Sequence, residues 1–205
     1  MSIHSKPQAD PLLYLVTQPH PRWFTQVSQL LENGTSIVQI RDKRGSDDKV
    51  ARDVDRVLNF VQTRGLSTTV LLNDRVHLAK QFGIGVHLGQ SDMSPAQARI
   101  ELGCEVWIGW TIHDDVACVE EQSAHIDYVG VGPIFPTTTK LDTKSVLGVE
   151  RLATVCRTLS VPVVAIGGIQ ADNIQSVREA KPWAVAMSSA LMQAAPDQLH
   201  RLLAL

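Results

Sequence analysis

The 205-residue sequence predicts an α/β protein, a single-domain (β/α)8 TIM barrel, on three observations. Short apolar runs alternate with amphipathic, helix-length stretches along the whole chain, which calls for parallel strands joined by crossover helices. The alternation amounts to eight strand–helix units with nothing left over, the number that closes a barrel. Polar residues and bare glycines recur just after each apolar run, where a barrel gathers its ligand-binding rim. A doubly wound open sheet is the structural alternative, disfavoured by the short connections and the eightfold count.

Residues 1–11 read as a polar tail and 12–205 as the barrel. Leu12 to Thr17 is the first strand. A helix follows from Arg22 to Glu32, with Phe24, Val27 and Leu31 at helical spacing and Asn33-Gly34 as its stop. Ser36 to Arg41 is the second strand. Its helix sets Val50, Val54, Val57, Leu58 and Val61 on one face and closes at Gly65. Thr68 to Leu72 and Gly85 to Leu88 are the third and fourth strands, with a short helix to about Phe82 between them. Ser94-Pro95 supplies a cap and a first-turn proline for the next helix, which stops at Gly103. Glu105 to Trp110 is the fifth strand, and a helix from about Asp114 to Ala124 follows, capped by Asp114-Asp115. Val129 opens the sixth strand, whose helix carries Val149, Leu152, Ala153 and Cys156. Val161 to Ile166 and Trp183 to Met187 are the seventh and eighth strands, separated by a helix from about Asp172 to Ala180. Pro196 interrupts the last helical region.

Composition bounds the function. Hydrophobic residues make up 44% of the chain, enough for one sizeable core. Nineteen Lys and Arg against 21 Asp and Glu leave no basic surplus for nucleic-acid binding. No apolar run approaches a membrane span, and the first residues lack the apolar centre of a signal peptide, so a cytoplasmic location is expected. Cys104, Cys118 and Cys156 are odd in number and widely spaced. They fit neither a disulfide framework nor a zinc site and read as small buried thiols.

The chemistry centres on Val129 to Lys140. This apolar, β-branched run breaks at Gly132-Pro133 and ends in Pro136-Thr137-Thr138-Thr139-Lys140. The prolines fix φ and remove backbone donors, leaving a stiff loop of N–H groups, hydroxyls and one ammonium, the groups that hold a phosphate. Beside it the other strand ends deliver Thr17, then Gln39, Arg41 and Lys43, then Asn73 and Asp74, then Gly89 to Asp92, then Gly109 to Thr111. Gly167-Gly168 and Ser188-Ser189 follow strands seven and eight, where barrels often bind phosphate. Gln39 and Arg41 lie two apart and point to one face, here inward, and an inward arginine needs an anion to meet it. Asp74 and Asp92 follow neighbouring strands, and two carboxylates near a phosphate cluster repel the ligand unless a cation such as Mg²⁺ lies between them. Asp74 could equally cap its helix, and Asp92 could equally shape a turn. His87, inside an apolar strand, reads as a hydrogen-bonded core histidine; His113 stands nearer the rim. No Gly-x-Ser-x-Gly elbow accompanies them, so an acyl-transfer triad is not expected. The tryptophans read as packing residues, with Trp110 a candidate for shaping the pocket.

These residues resemble the thiamin phosphate synthase family. The resemblance rests on Gln39-Ile40-Arg41-Asp42-Lys43, Leu72-Asn73-Asp74-Arg75, Gly85 to Asp92, Gly130 to Lys140, Ala165 to Ile169 and Ser188-Ser189, in order from strand two to strand eight. It implies a barrel transferase that joins a hydroxymethylpyrimidine diphosphate to a thiazole phosphate with Mg²⁺, releasing diphosphate. Gln39, Ile40, Arg41, Asp42, Lys43, Asn73, Thr111 and Lys140 would hold the pyrimidine diphosphate, with Arg41, Lys43, Lys140 and Thr111 acting in catalysis. Asp74 and Asp92 would hold the metal. Thr137, Thr138, Thr139, Gly168, Ser188 and Ser189 would hold the thiazole phosphate. The implied partners are small molecules, with neither nucleic acid nor membrane, and there is room for a homodimer. Thr17-Gln18 stands where the family usually has Thr-Asp, Trp110-Thr111 where it usually has serine, and Lys181-Pro182-Trp183 where a Gly-containing turn is usual. The rivals are the thiazole tautomerase branch, which lacks the diphosphate and metal set, and a non-catalytic phosphate-binding barrel.

Overall fold

The structure, a computed structural model, describes residues 12–113, 116–137, 145–194 and 202. Strand and helix alternate as β1 (Leu12–Val16), α1 (Trp23–Glu32), β2 (Ile37–Ile40), α2 (Asp47–Arg64), β3 (Thr69–Asn73), α3 (Val76–Phe82), β4 (Gly85–Leu88) and α4 (Pro95–Leu102). The second half continues as β5 (Ile108–Ile112), α5 (Ala117–Gln122), β6 (Tyr128–Val131), α6 (Gly148–Thr158), β7 (Val163–Ile166), α7 (Ile174–Glu179), β8 (Ala184–Met187) and α8 (Ser189–Met192). All strands pair in parallel in sequence order, and β8 returns to β1 through Leu12↔Ala184 and Tyr14↔Ala186, closing the barrel.

Each strand is buried on both faces, so its residues divide by alternation. Tyr14, Val16, Ile37, Leu71, Tyr128, Val164, Ala184 and Ala186 form an interior cluster. Leu13, Leu15, Val38, Ile40, Val70, Leu72 and Val86 face the helices and share the larger core with them. The helix signals in the sequence act as read. The Ser46 hydroxyl accepts from Lys49 N and that of Ser94 from Gln97 N, while Gly65 ends α2 in the left-handed conformation at φ 62°.

Several expectations change. The fifth strand starts at Ile108 rather than Glu105, because the Asp127 carboxylate accepts from Ile108 N (2.7 Å) and from the Arg99 guanidinium (2.6 Å), fixing the entry to β5. Cys104 is exposed, against expectation, whereas Cys118 and Cys156 are partly buried and pack against the larger core. Trp110 points outward and packs against the larger core. Asp114, Asp115 and Pro196 lie outside the described residues. Among the described residues, no helix is long and apolar enough to cross a membrane.

Candidate active site

A cavity of about 360 Å³ opens at the C-terminal ends of the strands, bounded by Arg41, Thr111, Thr137, Gly168, Ser188 and Ser189 among others. Six of the residues singled out from the sequence, spread over five strands, thus share one mouth. Thr138, Thr139 and Lys140 lie outside the described residues.

The β7–β8 side is built by close backbone approach. At Gly168 φ is 68°, and an added Cβ would lie 2.6 Å from both the Phe135 and Pro136 carbonyl oxygens. Only glycine lets the two loops meet there. The Ser188 hydroxyl donates to Val16 O (2.6 Å) and accepts from the Gln18 amide (2.8 Å), sealing β8 to β1. Its hydroxyl is therefore engaged within the protein, and the Gln18 departure has a structural role.

Of the charged residues at the ends of β2 to β4, Arg41 lines the cavity, whereas Lys43, Asp74 and Asp92 are not part of its lining. Arg41 is fixed through its backbone N–H, which donates to the fully buried Thr17 hydroxyl (3.0 Å). Asp42 is not among the residues lining the cavity. Its carboxylate accepts from Gly45 N (2.8 Å) and Arg44 N (3.2 Å) and pairs with Lys49 (2.9 Å), shaping the loop that carries Lys43. Burial pushes the Asp42 carboxyl up, but Lys49 and the two N–H groups outweigh it and hold the group below the usual range. Ile40 turns its side chain into the core shared with the helices. Of the five-residue run from Gln39 to Lys43, strand alternation therefore leaves Gln39 and Arg41 for the interior.

Asp74 does not cap α3, whose first flanking residue is Arg75; it sits at φ 54°, a conformation uncommon outside glycine. Its carboxylate accepts from the Asn73 amide (2.7 Å) and lies 4.0 Å from Lys43 Nζ. Partial burial, together with the charge of Asp92, raises the Asp74 pKa, against the opposing pull of Lys43, Arg75 and Arg41. Asp92 does shape a turn, accepting from Gly89 N (2.6 Å) with one oxygen. Among the described residues no group of three or more His, Cys, Asp or Glu forms a metal cage. Asp74, whose charge Asp92 disfavours, could instead hold a Mg²⁺ ion together with Asp92, completed by substrate oxygens and water.

Two features were not read from the sequence. Arg75 bridges loops: its guanidinium donates to Asp42 O (2.9 Å) and Gly45 O (2.5 Å) and pairs with Asp47, which also meets His77 Nε2 at 2.7 Å. Below the mouth, a polar column crosses the barrel interior. The Gln39 amide nitrogen meets Tyr14 Oη (2.7 Å), Tyr14 Oη meets Tyr128 Oη (2.8 Å), Tyr128 Oη meets His87 Nδ1 (2.9 Å), and His87 Nε2 meets Thr111 Oγ1 (2.7 Å). The chain has only two tyrosines, and both are in this column. His87 is the hydrogen-bonded histidine its strand context suggests. His113 lines the cavity, with Nδ1 3.1 Å from Gly132 O and Nε2 3.3 Å from Ser145 Oγ.

Barrels place their chemistry at this end of the strands, and what gathers here suits phosphorylated small molecules: fold and mouth together define a phosphate-handling (β/α)8 enzyme. Sequence comparison narrows that class. The family described as "Thiamine monophosphate synthase" matches residues 13–191. A thiamine-phosphate synthase of Koribacter versatilis is 38% identical over 80% of this chain and 77% of its own length. One of Azorhizobium caulinodans is 37% identical over 90% of this chain and 88% of its own. The solved structure of a thiamine phosphate pyrophosphorylase from Pyrococcus furiosus superposes with a TM-score of 0.79 at 27% identity, covering 94% of this chain and 95% of that one. The chain belongs to the thiamine monophosphate synthase family and is a transferase.

Proposed function

We propose that the protein joins 4-amino-2-methyl-5-hydroxymethylpyrimidine diphosphate to a thiazole phosphate, giving thiamin phosphate and diphosphate, with CO₂ released as well when the thiazole is carboxylated. The supporting observation is that one cavity borders Arg41 on one side and the Gly167-Gly168 and Ser188-Ser189 turns on the other. Two anionic groups can therefore be held across a single space. Gln39, Arg41, Lys43, Asn73, Thr111 and Lys140 serve the diphosphate substrate. Thr137, Thr138, Thr139, Gly168, Ser188 and Ser189 serve the thiazole phosphate.

The bond between the pyrimidine methylene carbon and the diphosphate oxygen breaks first, and both electrons leave with the oxygen. The thiazole nitrogen then gives its lone pair to the methylene cation. The protein's task is to stabilise negative charge developing on the leaving group, for which Arg41, Lys43 and Lys140 are suited. No strong base is required. Asp74 and Asp92 would hold Mg²⁺, which when bound neutralises charge on the leaving diphosphate. The tautomerase alternative has no use for this carboxylate pair.

Mixing the two substrates with Mg²⁺ is expected to release diphosphate, and excess chelator to stop it. Turnover indifferent to chelation would remove Asp74 and Asp92 from a metal role. Thr111→Ser is expected to retain activity, whereas Thr111→Val loses about 10- to 100-fold in kcat, the range of one hydrogen bond to a charged group. Equal activities would mean the hydroxyl is not used.

A further inference from the structure

We propose that Gln39, Tyr14, Tyr128 and His87 form a one-directional hydrogen-bond relay that delivers the His87 Nε2–H to Thr111 and obliges the Thr111 hydroxyl to donate its own proton into the cavity. His87 is then a positioning residue, and the substrate atom above Thr111 is a hydrogen-bond acceptor. On the function proposed above, that atom is an oxygen of the departing diphosphate; this last assignment alone rests on that reading.

The direction follows from donor capacity. The Gln39 amide nitrogen can only donate, so the Tyr14 oxygen receives a proton at 2.7 Å. The O–H of Tyr14 then has Tyr128 as its partner at 2.8 Å, and the O–H of Tyr128 has His87 Nδ1 at 2.9 Å. A nitrogen that accepts carries no proton, so the single proton of the neutral ring is on Nε2, directed at Thr111 Oγ1 (2.7 Å). Thr111 Oγ1 accepts there, and its hydroxyl hydrogen is left for the cavity it lines. Burial raises the pKa of both tyrosines, so neither O–H is lost near neutral pH.

The backbone is cut to fit this column. A Cβ on Gly109 would lie 2.0 Å from Tyr128 Cζ and 2.3 Å from its Oη, and one on Gly130 would lie 3.1 Å from His87 Cε1. Barrel interiors are ordinarily filled by branched apolar side chains. Here strand glycines on β5 and β6 make room for two phenols and an imidazole instead. Gln39 is 3% exposed and the tyrosines 1% or less, so water does not compete for the lower bonds. A buried chain of this kind holds its members in one arrangement.

Nitrogen-15 NMR of histidine-labelled protein, with His87 assigned by the signal lost in His87→Asn, reads the tautomer directly. The expected result is a hydrogen-free Nδ1 and a protonated Nε2. A protonated Nδ1, or a doubly protonated ring near neutral pH, overturns the relay. Tyr128→Phe should abolish the single-tautomer signature and lower kcat roughly three- to tenfold with little change in KM, since one net hydrogen bond is lost. Gln39→Glu, which replaces the donor by an acceptor, should move the proton to Nδ1. An unchanged tautomer in either folded variant overturns the proposal. The NMR result stands whether or not the coupling reaction is observed, so failure of the relay and failure of the proposed function are distinguishable.

Discussion

Gly132→Ala is expected to lower the melting temperature by about 6–12 °C, from an overpacking cost near ~3 kcal/mol in a domain of this size. The added methyl would lie 1.9 Å from the Ile166 carbonyl oxygen and 3.0 Å from its carbon. That carbonyl cannot simply withdraw, because it accepts from Ile134 N (3.1 Å). The neighbouring bonds Phe135 N to Gly167 O (3.0 Å) and Leu147 N to Pro133 O (2.9 Å) tie the same loop down on both sides. Relief therefore requires β6 and β7 to separate just below the mouth, and activity should fall with stability. Thermal unfolding followed by circular dichroism decides it. A melting temperature within a degree of the parent would show that the strands yield without cost.

Asp74→Asn carries the largest expected effect on turnover, about 10²–10³-fold, corresponding to the several kcal/mol of charge stabilisation a metal supplies. Its effect on folding should be opposite in sign. The Asp74 pKa is raised by partial burial and by Asp92, so ionised Asp74 opposes the folded state. With the folded pKa above the unfolded one, that cost is complete above the folded pKa. It disappears as pH falls below the unfolded value. Asparagine removes it while keeping an acceptor for the Asn73 amide. The variant should thus be at least as stable as the parent in metal-free buffer at neutral pH, with the difference shrinking on acidification. Denaturant unfolding at two pH values, beside a magnesium titration of turnover, separates the two effects. A variant that is both fully active and magnesium-dependent would exclude Asp74 from the metal site.

The barrel was legible because apolar runs and helix signals agreed at almost every unit; Gly85–Leu88 and the Ser94-Pro95 start match the sequence reading. The fifth strand was misplaced because its start depends on Asp127, which lies 19 residues beyond Ile108 in the chain. The mouth was legible because polar side chains at strand ends have no local reason to be there. What each does was less so. Asp42 and Asp92 look alike in the sequence, yet Asp42 is absorbed by its own loop and Lys49, and only Asp92 acts on the charge of Asp74. The tyrosine pair was missed because its contact spans 114 residues, and an aromatic residue in a strand reads as packing.

Arg75 has a consequence for how the protein meets its ligand. Its side chain is 15% exposed and joins the Asp42–Gly45 segment to the residue next to Asp74. Loop shape on that flank is therefore settled during folding, before anything binds. Little backbone entropy is left to lose on association, so affinity there reflects contacts more than ordering.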